Sequence, residues 1–465
     1  AKLSYRKAIE LNPDYAIAHS NLGSTFKNLG KLDDAGSAED KYRRELVRIR
    51  KSPSFRIGVH LIRAIEKPWR LIFLPISLPW LIFSLGLERL GKKAIPEFEQ
   101  PTFDVTENRK SIVMFPTNGV GFGHFTRLLS IARRIKKLDE EVEVIFFTTM
   151  PTLHLLKREG IPAYHLPGRK KFNDMPAKIW NKIVEENIAN VFAIHKPSMF
   201  IFDGAFPYRG MLNAIQGRDE IKKVWLRRGT FKKGSTKIPV DSINHFDYII
   251  TPKDSVELEE HDMEFTSAVV KCDPILYLDE IELRPKKDLR NRLGIPHDAI
   301  VCYLQLGAGE INDIESDISI CLSELEKHDN VYVVLGESML GGRLPSIGGR
   351  VRVLTDYPNS MDFNAFDFTI MAAGYNSYHE AIRFSVPTIS IPNMETGMDD
   401  QLARVEVAEE AGAMIVLREV SKRRVQAVVE RILDESVRNS MIKASEKLHR
   451  PNGANQMAKW IIDEM

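Results

Sequence analysis

The residues best placed to do chemistry are a histidine and several carboxylates beside glycine-rich turns. His124 lies in Asn118-Gly119-Val120-Gly121-Phe122-Gly123-His124-Phe125-Thr126-Arg127. Ahead of it runs the apolar stretch Ile112–Phe115, and behind it Leu128, Leu129, Ile131, Ala132 and Ile135 recur at helical spacing. The order is strand, turn, helix, with the histidine where the helix begins. Gly121 and Gly123 allow backbone to approach a ligand, and the N–H groups of a helix start favour negative charge. A second constellation is Gly374-Tyr375-Asn376-Ser377, which follows an apolar strand and opens a helix carrying His379 and Glu380. Its N–H groups and the Ser377 hydroxyl suit a pyrophosphate. Glu380, nearly one turn further on, can accept hydrogen bonds from both hydroxyls of a ribose. Asp400-Gln401 opens the next helix and can do the same for sugar hydroxyls, while Gly307 and Gly309 form a close-approach loop after another strand. A nucleoside diphosphate sugar meets all these requirements at once.

Two more strand ends carry candidate groups. Asp203 stands just past Met199–Phe202, where it can orient His124, hold an acceptor, or cap the following helix. Arg227 and Arg228 end another strand and suit phosphate or a lipid headgroup, or else form a solvated structural pair. His379, Met394 and Met398 are assigned only to packing or surface. No Asp-x-Asp pair stands at a strand end, and no metal or cofactor is expected beyond a nucleotide-sugar as substrate.

These groups need a scaffold of parallel strands. From Ser111 to about residue 283, strands (Ile112–Phe115, Val142–Phe147, Met199–Phe202, Lys223–Leu226, Tyr248–Ile250) alternate with helical patterns such as Ala177–His195. The alternation restarts near Lys286 with Ile300–Leu306, Val331–Leu335, Val351–Leu354, Phe368–Met371 and Thr388–Ile391. The expected fold class is α/β, two Rossmann-like domains (108–285 and 286–465) facing a cleft, with ligands beyond the carboxyl ends of the strands. The last helix, Ala454 to Met465, is amphipathic and able to return to the first domain.

Two segments precede these domains. In residues 1–41, Ala1, Tyr5, Ala8 and Pro13, then Leu22, Gly23, Phe26, Gly30 and Ala35, fit a 34-residue period. The stretch resembles a tetratricopeptide repeat, which implies either contact with a protein partner or a vestigial cap. Residues 42–107 form a basic, apolar linker. Between Lys41 and Lys93 thirteen Lys/Arg face three Glu, a net of +10, whereas the whole chain of 465 residues carries only +2. An uncharged run of seventeen residues, Leu71 to Leu87, contains Pro75, Pro79 and Gly86. This reads as too short and too interrupted for a spanning helix. With Trp69, Trp80 and flanking cations it suits a membrane surface, so residues 55–93 are expected to attach the protein peripherally. The alternative is an arm packed on the body of the protein or within an oligomer.

Composition narrows the rest. The balance of charge gives no reason to expect a nucleic-acid partner. Cys272, Cys302 and Cys321 lack paired spacing, which fits a reducing cytosol better than a disulfide framework or a zinc site. No secretory signal stands at the start, and the chain begins partway through a repeat, as a piece of a longer protein would.

The segment MAAGYNSYHEAIRFSVPTISIPNMETGMDDQLARVEVAEEAGA resembles the donor-binding region of the family 28 GT-B glycosyltransferases, of the UDP-N-acetylglucosaminyltransferase type. The shared features are small residues before the helix, Glu380, Pro387, Pro392 and Asp400-Gln401. GVGFGHFTRLLSIARRI is similar to that family's first glycine-rich loop. The resemblance implies an inverting, metal-independent transfer from a UDP-sugar to a lipid-linked or polysaccharide acceptor, in cell-envelope polysaccharide synthesis. His124 would be the general base, kept neutral by the helix dipole, with Asp203 beside it. Gly307, Gly309, Gly374, Asn376, Ser377, Glu380, Asp400 and Gln401 would hold the donor, and Gly121, Gly123 and Arg228 phosphate or acceptor. It also implies a cytoplasmic protein attached to the inner face of the plasma membrane. Departures are Tyr375-Asn376 in place of a small pair, and His-Phe-Thr-Arg in place of His-x-x-Pro. The Gly-His-x-x-Arg ending also resembles the UDP-sugar hydrolase of pseudaminic acid biosynthesis. A hydrolase and a non-catalytic nucleotide-binding scaffold therefore stand beside transfer.

Overall fold

The computed structural model describes residues 49, 52–93, 110–117, 122–173, 175–227, 232, 240–256, 267–307, 314–337, 348–396 and 399–465. The tetratricopeptide stretch, Gly121, Arg228, Gly309 and Met398 lie outside them. The chain divides into two units, Ala1–Thr106 and Glu107–Met465.

In the first unit, helix α1 (Pro53–Glu66) leads through a 3-10 turn (Pro68–Phe73) into helix α2 (Leu74–Arg89). Ser52 caps α1 by accepting from the Phe55 N–H, and Pro53 starts the helix where its missing N–H costs nothing. The expectation of an interrupted apolar run is corrected here. Trp69–Arg89 forms one helical stretch of 21 residues, long and apolar enough by length and composition to cross a membrane. Pro75 falls in the first turn of α2, and Pro79 costs one internal hydrogen bond without ending the helix. The two helices form an antiparallel pair. An Arg56–Glu88 ion pair ties their open ends, and the His60 ring, in the middle of α1, bonds Ser77 Oγ in the first turn of α2 at 2.9 Å.

The second unit holds two parallel sheets. The first comprises β1 (Ser111–Pro116), β2 (Glu143–Thr148), β3 (Ala163–His165), β4 (Met199–Asp203), β5 (Lys222–Leu226), β6 (Tyr248–Pro252) and β7 (Ala268–Cys272), ordered 3-2-1-4-5-6-7. The second comprises β8 (Ile300–Gln305), β9 (Val331–Gly336), β10 (Val351–Leu354), β11 (Phe368–Ala372), β12 (Thr388–Ile391) and β13 (Met414–Val416), ordered 10-9-8-11-12-13. Period-two alternation sends neighbouring side chains of one strand to opposite faces. Ile112 and Met114 of β1 join the core on one face, Val113 and Phe115 the core on the other. In β8, Val301 and Tyr303 are separated from Cys302 and Leu304 in the same way. Each such fully buried side chain contributes about 1.5–3 kcal/mol, and parallel strands need cover on both faces.

Strand order reverses between β1 and β4 and again between β8 and β11, and crevices open at such switch points. Helix α3 (Gly123–Leu138) follows β1, and helix α4 (Ala177–His195) precedes β4. Helix α5 (Tyr375–Arg383) follows β11, and helix α6 (Gln401–Glu410) follows β12. The register pairs Pro116 at the end of β1 with Asp203 at the end of β4. The C-terminal helix α7 (Gly453–Glu464) packs on α3, burying Ala454, Met457, Ala458 and Ile461 in the first sheet's core.

Candidate active site

Helix α3 starts at Gly123, so His124 occupies its first turn, half-buried. Its Nδ1 lies 2.6 Å from Asp203 Oδ1. Arg127, one turn further along the same face, donates from Nε to Asp203 Oδ2 at 3.0 Å and from Nη2 to Oδ1 at 2.6 Å. Asp203 is fully buried. Burial pulls its pKa up, but the charges of Arg127 and His124 outweigh that and hold it below the usual carboxylate value. Two groups face Nδ1, the acceptor-only carboxylate at 2.6 Å and the donor Arg127 Nη2 at 2.9 Å. With Nη2 donating to Asp203 Oδ1 at 2.6 Å, the shorter carboxylate contact favours the proton on Nδ1 and leaves Nε2 the basic nitrogen of the neutral ring. Of the three roles open to Asp203, the structure brings it to His124. The next helix (Arg209–Ile215) begins six residues later and takes no cap from it.

At the other switch point, Gly374 is the residue ahead of α5, and an added Cβ there would meet nothing within 4 Å. Asn376 and Ser377 lie in the first turn. The Asn376 Oδ1 is buried with no hydrogen-bond partner among the described residues. Glu380 Oε1 accepts from Ser360 Oγ at 3.0 Å, and burial pushes this carboxyl up to about 7, the Ser360 bond only partly offsetting it. Gly307, two residues past the end of β8, has φ +104°, a conformation that favours glycine. Asp400 caps α6 by accepting from the Ala403 N–H at 3.1 Å. Gln401 Oε1 accepts from the Asn393 N–H at 3.0 Å, so both open the helix as expected, with these groups engaged in its own scaffold. Arg227 is buried and its guanidinium lies 5.8 Å from the Trp225 ring centre, which corrects the solvated alternative for Arg227. Met394 is exposed, as assigned.

The two helix starts are tied to each other. Thr126 Oγ1 bonds Tyr357 Oη at 2.7 Å, and Phe122 packs on the Tyr357 ring at 5.7 Å. Tyr357 stands shortly before Ser360, and its pKa is raised chiefly by burial, with Glu380 among the charges that add to it. Tyr375 is buried between two cations, with Arg127 at 5.5 Å and Arg404 at 5.9 Å from its ring centre. This explains the departure at Tyr375: the ring fills the space between two guanidinium groups where a small side chain would leave a void.

Sequence reasoning missed an ionic clasp behind this contact. Asp254, past the end of β6, accepts from Arg404 Nη2 at 2.8 Å and Nε at 3.0 Å, and from His379 Nε2 at 3.2 Å. Arg404 also donates to Asp399 at 2.7 Å and to the Ala373 carbonyl at 2.9 Å. His379, assigned above only to packing or surface, is buried and belongs to this clasp; burial lowers its pKa, and Asp254 opposes that without reversing it. The available signal was positional. Asp254 stands past a strand end as Asp203 does, and Arg127 follows His124 by one helical turn.

Comparison with known proteins bears on fold. A family model described as TPR repeat matches residues 2–30. The chain is 22% identical over 363 residues to the UDP-N-acetylglucosamine--N-acetylmuramyl-(pentapeptide) pyrophosphoryl-undecaprenol N-acetylglucosamine transferase of Acetivibrio thermocellus, covering 74% of this chain and 95% of that protein. Among solved structures, the glycotransferase of kitacinnamycin superposes with TM-score 0.53 at 14% identity, covering 77% of this chain and 99% of its own. CalG4, the calicheamicin glycosyltransferase, superposes with TM-score 0.52 at 15% identity, covering 77% and 98%. By fold, the chain is of the GT-B glycosyltransferase type, with a tetratricopeptide-repeat match ahead of its two α/β sheets.

Proposed function

We propose that the chain transfers a hexose or N-acetylhexosamine from a UDP-sugar to a lipid-linked or polysaccharide acceptor, with inversion and without a metal. The observation that carries this reading is the opposition of two helix starts, one bearing the His124–Asp203 pair and the other leading to Glu380. His124 Nε2 takes the proton of the acceptor hydroxyl as the acceptor oxygen bonds to the anomeric carbon. The anomeric carbon–phosphate oxygen bond breaks on the opposite face, and its electron pair leaves with UDP. Asp203 keeps Nδ1 protonated and stabilises the imidazolium that forms. N–H groups at the start of α5 meet the charge developing on the leaving phosphate. Glu380 accepts from the ribose hydroxyls, and Asn376, Ser377, Gly307 and Gly309 line the donor. Asp400 and Gln401 face the sugar with whatever hydrogen-bonding capacity their scaffold contacts leave.

The relative in Acetivibrio thermocellus is, by its printed name, a transferase acting on an undecaprenol-linked substrate, which favours a lipid-linked acceptor here. Residues 55–93 would hold the protein at the cytoplasmic membrane surface, and the repeat segment would contact a protein partner. The test is to incubate the purified chain with UDP-N-acetylglucosamine, with and without a membrane extract, and measure UDP release. Release that depends on the extract is expected. Release without acceptor would establish hydrolysis, and saturable binding with no release under either condition would leave a scaffold.

A further inference from the structure

Helix α2 is apolar all round, and such a helix is normally buried in a core or in lipid. Here Trp69, Ile72, Phe73, Ile76, Trp80 and Phe83 form a stripe along one side of the apolar stretch, and every one of them is exposed, Ile76 at 75%. The opposite side packs on α1, whose own apolar edge, Phe55, Ile62 and Ile65, is exposed as well. Residues 52–93 carry seven Lys/Arg against two Glu, a net of +5, so the occupant complementary to both features is an anionic lipid surface.

We propose that α1 and α2 form a hairpin that inserts into one leaflet, lying in the membrane plane with both ends on the same side. This rests on the membrane-attachment reading above and adds its topology. The length of Trp69–Arg89 alone would permit a crossing, but the hairpin contacts oppose it. The His60–Ser77 bond places α1 alongside the first turn of α2, near the middle of the Trp69–Arg89 stretch, so a crossing by that stretch would draw the exposed Arg63 into the hydrocarbon. It would also set Trp80, midway along the stretch, at the bilayer centre, although tryptophan favours headgroup depth. Lying in the plane, Trp69 and Trp80, eleven residues apart on one helical face, share one depth. The cations of α1 then reach the headgroups while the stripe sits among acyl chains.

The experiment uses the full chain in sealed membrane vesicles from expressing cells, right-side-out and inside-out. Single cysteines are placed at Lys67→Cys, at the closed end between the helices, or Lys92→Cys, at the open end, and probed with an impermeant maleimide; the native Cys272, Cys302 and Cys321 are buried. Both positions are expected to label from the same face, and the protein is expected to resist a high-salt wash. Labelling from opposite faces would establish a crossing and overturn the topology while leaving membrane attachment intact. Full recovery in the soluble fraction would refute attachment itself. With purified protein, Ile76→Glu combined with Trp80→Glu, both solvent-facing, should weaken binding to phosphatidylcholine–phosphatidylglycerol vesicles at least tenfold. Lipid-free dimerisation abolished by the same pair, with vesicle binding unchanged, would assign the stripe to a second copy and overturn the proposal.

Discussion

Asp203 does three things with two oxygens: it fixes the His124 tautomer, it neutralises Arg127, and it keeps both side chains against the end of β1. Asp203→Asn would present an amide where a carboxylate now accepts, so Nδ1 would lose its hold on the proton. Turnover is expected to fall by about 10²–10⁴, with UDP affinity nearly unchanged, as read by steady-state kinetics and calorimetry. Arg127→Lys removes the bidentate fork and should lower turnover less. Glu380 gives a pH signature. Its carboxyl titrates near 7, and ribose hydroxyls donate to the ionised form. UDP-sugar affinity should therefore be full above pH 7 and fall about tenfold per pH unit below it. Calorimetry across pH should show this slope, and Glu380→Gln should flatten it while weakening binding by roughly 1–3 kcal/mol. His124 and Glu380 were legible because helix starts after apolar strands advertise themselves. Ser360, which meets Glu380, and Tyr357, which meets Thr126, were not, because no local pattern says which distant side chain a buried group will meet.

At the scale of elements, the central strands stood out in the sequence as apolar runs, and α4 matches its periodicity over Ala177–His195. The strands that escaped reading, β3, β7 and β13, are short edge strands, and β7 is exposed at three of its five residues. Edge strands of this kind lack the continuous apolar signal of strands covered on both faces. The clasp between the end of β6 and helices α5 and α6 was equally invisible, since Asp254 stands more than a hundred residues from His379 and Arg404. Its energetics follow from burial. Arg404→Met would leave the buried Asp254 without its guanidinium partner, at a cost of about 3–5 kcal/mol, read as a lower denaturation midpoint. Burial alone raises the Asp254 pKa, yet Arg404 and His379 prevail and hold it well below the carboxylate range. The stability it contributes is thus present above about pH 4 and lost as pH falls toward its folded value. Arg404→Met should accordingly blunt the acid limb of the stability profile.

For the whole molecule, the C-terminal helix closes the first sheet, not the second from which it follows in sequence. Ala454, Met457, Ala458 and Ile461 are all fully buried there, and an added Cβ on Gly453 would lie 2.0 Å from the Asp273 carbonyl oxygen. Truncation after Arg450 should therefore unfold or aggregate the first sheet, although the cut lies far from it in the chain. Differential scanning calorimetry would show its transition lowered or lost. Gly453→Val should reproduce part of that loss. The same return of the chain couples both sheets around the facing starts of α3 and α5, where we propose the transfer chemistry. The most direct measurement is His124→Ala in the full chain, with UDP affinity and acceptor-dependent UDP release determined on the same preparation. Release should drop by about 10²–10⁴ while UDP affinity stays within a factor of two or so. Unchanged release, or loss of UDP binding in step with activity, would contradict His124 as the base.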